Sequence, residues 1–374
     1  NRRSDKNNIA PRIGFSYDLV GDQRHVFFGG IGRSYDRNLF DYMAREYYGG
    51  AFTTFTINFP DVNHPCTPSA TCIPFNPALL TPEGLAAFAA ANPVAGGEVN
   101  VLKNDLQTPY SDQLSAGMRN LFELWGQEWS SSVTLAHIRS KEGIYFRLGN
   151  RWPDGGFRNP AVPGATWGNQ PWGQAIPGYG SLILGQNGIE TRLNSLLVGL
   201  DKLYTSSSPW GMTIAYTYSD AKENRTNASN GETYVFDYPD VGGEFFLSNG
   251  VPKHRLVATG IVGLPWDTTV SSKLTLASPT PRNATNCFNA PSNNNCFYDP
   301  YIRDETIGYK QFDIALQKVV DTGSSLSYMV RVDVLNVFDW RNWTDFDDWR
   351  GSPGVANPKF GLRSNNGIMW PTRT

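Results

Sequence analysis

The chain has 374 residues, with 32 basic against 34 acidic side chains and a formal charge of −2. Charged residues make up 18%, below the roughly 25% of an ordinary globular chain, while hydrophobic residues reach 40% and aromatics 13%. A balance this near neutral leaves no electrostatic footprint for nucleic acid, no run approaches the roughly 20 apolar residues of a spanning helix, and the aromatic content argues against disorder.

Length alone suggests two domains, but large all-β barrels depart from that expectation. The first residues, Asn1 to Asp5, are followed by no apolar h-region and do not form a signal peptide. With an end at Thr374 that falls inside a repeating pattern, the chain reads as a piece of something longer.

The repeating unit is a segment of alternating side chains followed by either a tight turn or a long polar connection. Residues 12–18 alternate Ile13, Phe15 and Tyr17 with Gly14, Ser16 and Asp18, and residues 25–32 run back after a turn. A long connection, 34–109, follows. Within it, Thr81 as a cap, Pro82 at the first helical position and Pro93 as a stop predict a short helix. The next strands are expected in pairs: 110–122 with 129–140, 191–204 with 211–222, 254–264 with 269–278, and 309–320 with 325–338. Alternation is clearest where Met212, Ile214, Tyr216 and Tyr218 oppose Thr213, Ala215, Thr217 and Ser219. Ten strands are predicted, and residues 367–370 read as the start of an eleventh.

Connection lengths are more telling than the strands. At one end every turn is a handful of Gly, Ser, Asp, Pro or Trp residues. At the other end the connections cover 34–109, 141–190, 223–253, 279–308 and 339–365. That segregation is the pattern of outer-membrane barrels, with short periplasmic turns and long extracellular loops. Soluble sandwiches place hairpins and arches at both ends. Spanning strands must close into a barrel so that no backbone group is left unsatisfied in lipid. Each strand then needs only about five lipid-facing apolar residues, which accords with the mean hydropathy of −0.38. Tyr17, Trp125, Trp129, Tyr204, Trp210, Trp266 and Phe338 are expected to form interfacial girdles beside the short turns.

The four cysteines fall into local pairs, Cys66 with Cys72 and Cys287 with Cys296, each in a stretch rich in Pro, Asn, Ser and Thr. Loop disulfides formed in an oxidising compartment are expected. Metal binding is the rival reading, but neither spacing is C-x-x-C and the four His are scattered. Asp345, Asp347 and Asp348 cluster with Trp343, Phe346 and Trp349. Two of these carboxylates would serve a glycosidase as acid and base, the same oxygens would suit calcium, and a solvated acidic loop tip is the third reading. Gly29, Gly30 and Gly32 lie within a strand and open no helix, so they fit relief of curvature better than a phosphate loop. No catalytic constellation emerges, and no cofactor or metal site is expected. On the polar faces Arg12, Asp18, Asp201, Asp313, Arg331 and Asp333 are candidate lumenal charges.

Several segments resemble the C-terminal barrel of TonB-dependent outer-membrane receptors, specifically the Oar-like branch. They are residues 5–17, 29–36, 110–117, 194–202 followed by 215–221, 254–261, and 331–339, the last similar to a penultimate barrel strand. The resemblance implies that residues 1–374 are the C-terminal portion of a 22-stranded, plugged barrel, with about 10–11 strands here. It also implies outer-membrane lipid and the TonB–ExbB–ExbD system as partners. The ligand would be extracellular: a peptide, an oligosaccharide or a siderophore-like compound. Plug, TonB box and the terminal aromatic of the closing strand are not found in these residues. A passive porin or surface adhesin, and a secreted carbohydrate-binding or hydrolytic β-protein, are the competing functions.

Overall fold

The computed structural model describes residues 5–36, 43–44, 46–47, 57–60, 65–67, 72–92, 99–148, 182–225, 244–288, 297–323 and 326–363. The first two strands, β1 (Arg12–Asp18) and β2 (His25–Tyr35), form a hairpin whose turn is organised by one carboxylate. Asp18 accepts from the backbone N–H groups of Val20, Gly21 and Gln23, the last at 2.6 Å. The expected helix follows as α1 (Pro82–Ala91), with the Thr81 hydroxyl accepting from the Gly84 N–H. No helix among the described residues is long and apolar enough to cross a membrane.

Beyond α1 come β3 (Val99–Leu102), β4 (Tyr110–Leu124), β5 (Gln127–Leu148), β6 (Leu182–Lys202) and β7 (Trp210–Glu223). They are followed by β8 (Phe246–Leu247), β9 (His254–Leu264), β10 (Thr268–Ala277), β11 (Arg282–Asn286) and β12 (Phe297–Tyr301). The last are β13 (Tyr309–Asp321), β14 (Ser327–Val334), β15 (Trp349–Ser352) and β16 (Val355–Ala356). One antiparallel path runs β1-β2-β4-β5-β6-β7-β9-β10-β13-β14, the ten strands read from the alternation, with β3 and β8 added at β6 and β7. Among the described residues this sheet is open, with β1 and β14 at its edges. The eleventh strand expected at 367–370 lies outside the described residues.

Turn chemistry fixes the short end. Trp125 and Gly126, both at positive φ (53° and 67°), form the two-residue loop between β4 and β5 that a right-twisted hairpin favours. Lys202 closes the β6–β7 turn, its Nζ donating to the Ser208 hydroxyl and the Trp210 carbonyl, each at 2.6 Å, and lying 4.3 Å from the Trp210 ring. Trp129 packs edge-on against Trp210 at 5.9 Å.

Registered cross-strand partners share a face, so the ladder sorts every side chain. One face carries Ile13, Ile31, Leu114, Leu135, Leu196, Tyr218, Leu256, Leu274, Ile314 and Val332 through the chained pairings. These residues are widely uncovered: Ile13 is 70% exposed, Leu135 61% and Val332 56%. A water-soluble sheet buries such a face against a second layer. Here among the described residues of the ten strands only Trp129 and Ala315, with the long-end residues of β5 and β6, are buried apolar groups. The opposite face is rich in Ser, Thr and Gly.

The outward face is bounded at both ends. At the short-turn end stand Trp129 and Trp210. At the other stand the ion pairs Arg33–Asp112 (2.6 Å), Arg139–Glu190 (2.5 Å) and Lys222–Asp220 (3.6 Å), with His254 beside Tyr216 and Tyr218. Along β5, Trp129 and Arg139 are ten residues apart. At about 3.4 Å per residue and a tilt of about 40°, that is a height of about 25 Å, the apolar band of an outer-membrane strand.

Three expectations need correction. Strands β5 and β6, at 22 and 21 residues, reach far beyond the expected ends at 140 and 191. A register shift between Ser140 and Ile144, with Glu142 at φ 59°, interrupts the alternation there. The extension has its own core, Leu102, Ile144, Phe146 and Ile183, and Gly185 leaves room for it, since a Cβ there would lie 2.3 Å from Leu102 Cδ2. Second, β14 ends at Val334 rather than 338. Asn336, buried and at φ 49°, turns the chain: its N–H donates to Asp313 Oδ1 and its amide brackets the Trp340 backbone. Third, Phe338 stands past the long-connection end of β14, stacked on Phe312 at 5.4 Å, and belongs to no girdle beside the short turns.

Truncating the extension's core gives a local prediction. Phe146→Ala is expected to cost the extension about 3–5 kcal/mol. Limited proteolysis should then show new cleavage within 141–148 and 182–190, while heat resistance of the strands below stays unchanged.

Candidate functional site

The polar face and the long-connection end converge at β9, β10, β13 and β14. A groove of about 510 Å³ runs along the polar face, lined by Thr213, Thr259, Lys273, Asp313, Arg331 and Asp333 among others. Each comes from the inward phase of its strand, because the registers Thr213↔Thr259, Thr259↔Lys273, Lys273↔Asp313 and Ala315↔Asp333 chain them together. Arg331 and Asp333 form an ion pair along β14, with Nη2–Oδ1 at 2.8 Å. Asp313 accepts from Gln311 Nε2 at 2.8 Å and from the Asn336 N–H at 2.8 Å. This carboxylate therefore ties the end of β14 to the wall of β13.

Of the six candidates for lumenal charge, Asp313, Arg331 and Asp333 share this groove. Arg12 stands on the same face by register, but on β1, where it pairs with Gly32 at the other edge of the sheet. Asp18 caps its turn and Asp201 sits opposite Thr213. Lys273 and Arg255 are not among the charges that the sequence pattern brings forward. The signal was present: Thr269, Ser271, Lys273 and Thr275 alternate with Val270, Ser272, Leu274 and Leu276, which places Lys273 inward.

Above the groove the long connections fold into a second sheet, β12-β11-β15-β16, in which β15 runs parallel to β11. Its centre is a half-buried cluster. Arg282 grips Asp348 with Nε at 3.0 Å and Nη2 at 2.5 Å, and the Tyr301 hydroxyl donates to the same carboxylate. Those contacts hold the Arg282 guanidinium above its ordinary pKa, while burial and the Asp348 charge push the Tyr301 hydroxyl up. Arg303 lies over the Phe346 ring at 3.7 Å and Arg350 over Phe360 at 4.4 Å. Asp347 accepts from the Trp349 N–H and from Asn357 Nδ2. Asp347 and Asp348 are thus committed to holding the loop sheet together, which corrects the solvated-tip reading and leaves neither free as a paired acid and base. No group of three or more His, Cys, Asp or Glu among the described residues could hold a metal ion.

Cys66 and Cys72 form a disulfide beside the bridge between Asn58 and Cys72. Cys287 is disulfide-bonded at the end of β11, and Cys296 lies outside the described residues.

Comparisons with known proteins agree with this architecture. Residues 1–278 match the family described as outer membrane beta barrel domain. No curated protein matches the chain. Among solved structures, the outer membrane transporter YddB from Escherichia coli superposes with a TM-score of 0.58 at 14% identity, over 91% of this chain and 38% of that one. The ferric enterobactin receptor PfeA from Pseudomonas aeruginosa, in a mutant form, gives 0.48 at 13% identity, over 94% of this chain and 37% of that one. The pyoverdine receptor FpvA from Pseudomonas aeruginosa PAO1 gives 0.45 at 11% identity, over 89% and 32%. The chain spans well under half the length of these proteins.

Proposed function

Because the chain belongs to the outer membrane β-barrel domain family and resides in the bacterial outer membrane, we propose that it walls a receptor or transporter barrel that takes up an extracellular ligand by TonB-dependent transport. The observation that carries this reading is the two-faced wall: an uncovered apolar band about 25 Å high outside, and inside a polar groove with Lys273, Asp313, Arg331 and Asp333. In this reading the tight turns face the periplasm and the folded connections face the medium. Residues 1–374 form one barrel domain contributing about half of 22 strands, in the manner of the Oar-like branch. Arg12, Asp313, Arg331 and Asp333 line the lumen and meet a plug supplied by another part of the protein. A TonB–ExbB–ExbD system drives the plug, and the ligand is a peptide, an oligosaccharide or a siderophore-like compound.

A passive porin would share the wall but not the plug. Planar-bilayer recording on the full-length protein separates the two. A TonB-dependent receptor barrel is expected to be closed to ions at rest and retained on the immobilised periplasmic domain of TonB. A large steady conductance without TonB binding would overturn it in favour of a porin.

A further inference from the structure

Between the loop sheet and the inward face of the barrel wall lies a cavity of about 440 Å³. Its floor is Arg255, Lys273, Gln311 and Asp313, and its side is Arg282, Arg303 and the rings of Tyr309, Trp343 and Phe346. Within the lining, Arg282 is neutralised by Asp348 and Arg303 by Glu305 (2.8 Å). Arg255 and Lys273 remain against the single carboxylate of Asp313, which is itself held by Gln311 and Asn336. Arg303 is the most telling of the cations. Its side chain is 11% exposed, and its Nε is buried without a hydrogen-bond partner among the described residues. A buried donor left unsatisfied is costly, and more so where the group is charged. Burial lowers the pKa of this guanidinium against the opposing charge of Glu305, with the Arg282 and Arg363 charges acting in the same direction as burial. The cavity is therefore positive as well as partly dehydrated.

We propose that this cavity is a binding site for a small organic oxyanion, one whose carboxylate or phosphate oxygens meet Arg303, Arg255 and Lys273 while its carbon skeleton lies against Tyr309 and Trp343. The volume falls within the range of about 300–1,000 Å³ usual for small-molecule sites. Guanidinium forks match the planar geometry of carboxylate and phosphate. The proposal rests on the receptor reading above, which makes this end of the barrel the side from which ligand arrives, and it narrows the ligand class from neutral or charged to anionic.

Isothermal titration of the full-length protein in detergent tests it, with citrate, inorganic phosphate and mannitol as probes. Saturable citrate binding that weakens with added salt is expected, with no heat from mannitol. Phosphate binding with comparable strength would assign the site to the oxyanion alone, and weaker phosphate binding would assign the skeleton a share. The double substitution Arg255→Gln with Lys273→Gln, both on a strand wall and outside the loop sheet's core, should weaken citrate binding at least tenfold. Equal binding of mannitol, absence of both citrate and phosphate binding, or citrate binding unchanged in the double variant would overturn the proposal. Heat-modifiable migration on the same preparations keeps the two readings apart. A barrel that migrates normally but ignores anions refutes this site alone, whereas a chain soluble without detergent refutes the receptor reading itself.

Discussion

Arginine in place of Leu135 is expected to cost about 2–4 kcal/mol of stability in a lipid bilayer, the penalty for a cation at the midplane of a barrel's outer face. Leu135 is 61% exposed on the outward phase of β5, registered with Ala116 and Leu196, between the Trp129 end and the Arg139 end. In a water-soluble sheet the same substitution would be nearly neutral, because an exposed leucine has little burial to lose. The paired control is Thr213→Arg, on the inward phase of β7 and opposite Asp201, which should shift stability by no more than about 0.5 kcal/mol. Urea unfolding of the full-length protein from lipid vesicles reads both. A harmless Leu135→Arg together with a costly Thr213→Arg would mean that the faces have been assigned the wrong way round.

The second large effect concerns the loop sheet. Asp348→Ala removes the acceptor of two Arg282 donors and of the Tyr301 hydroxyl, and leaves both groups half-buried without it. Breaking a fully buried pair costs about 3–5 kcal/mol. With side chains 26% and 28% exposed, water can replace part of what is lost, and about 2–3 kcal/mol is expected. Because this sheet packs on itself above the barrel wall, the loss should be local. Proteolysis within residues 282–288, 297–308 and 339–363 should accelerate while barrel migration on unheated gels stays normal. Asp345→Ala, outside the Arg282 cluster, serves as the control and should leave the cleavage pattern unchanged.

The ten strands of the main sheet were legible because a period-two pattern and its turns are local signals. Ile13, Phe15 and Tyr17 against Gly14, Ser16 and Asp18 need no distant partner to be recognised, and neither does the Trp125-Gly126 turn. Three kinds of structure were not legible. A bulge hides a strand's continuation, as at Glu142, where a single residue at positive φ shifts the phase of everything after it. Non-local pairing hides the loop sheet, since nothing in Arg282–Asn286 announces that it will run parallel to Trp349–Ser352. A side chain that breaks a strand by hydrogen-bonding the backbone, as Asn336 does, looks in the sequence like any polar residue after an alternating run.

The site was legible in part for the same reason. Parity alone puts Asp313, Arg331 and Asp333 on one face, but only the register brings them into one groove with Lys273. Arg303 and Arg255 join one cavity because the loop sheet folds back over β9 and β10, a placement that residue spacing does not encode. The three aspartates at 345–348 form one cluster in the sequence, whereas the fold divides their work: Asp348 anchors Arg282 and Asp347 caps the turn into β15.

On the function proposed above, this wall crosses the outer membrane with its tight turns in the periplasm and its folded connections outside. Single-cysteine labelling of intact cells that express the full-length protein reads this orientation, since the cysteines of the described residues are all in disulfides. Ser207→Cys reports the β6–β7 turn and Glu305→Cys reports the loop sheet. A membrane-impermeant maleimide is expected to label position 305 in intact cells and position 207 only after the outer membrane is permeabilised. Labelling of 207 but not 305 in intact cells, or equal labelling of both, would contradict it.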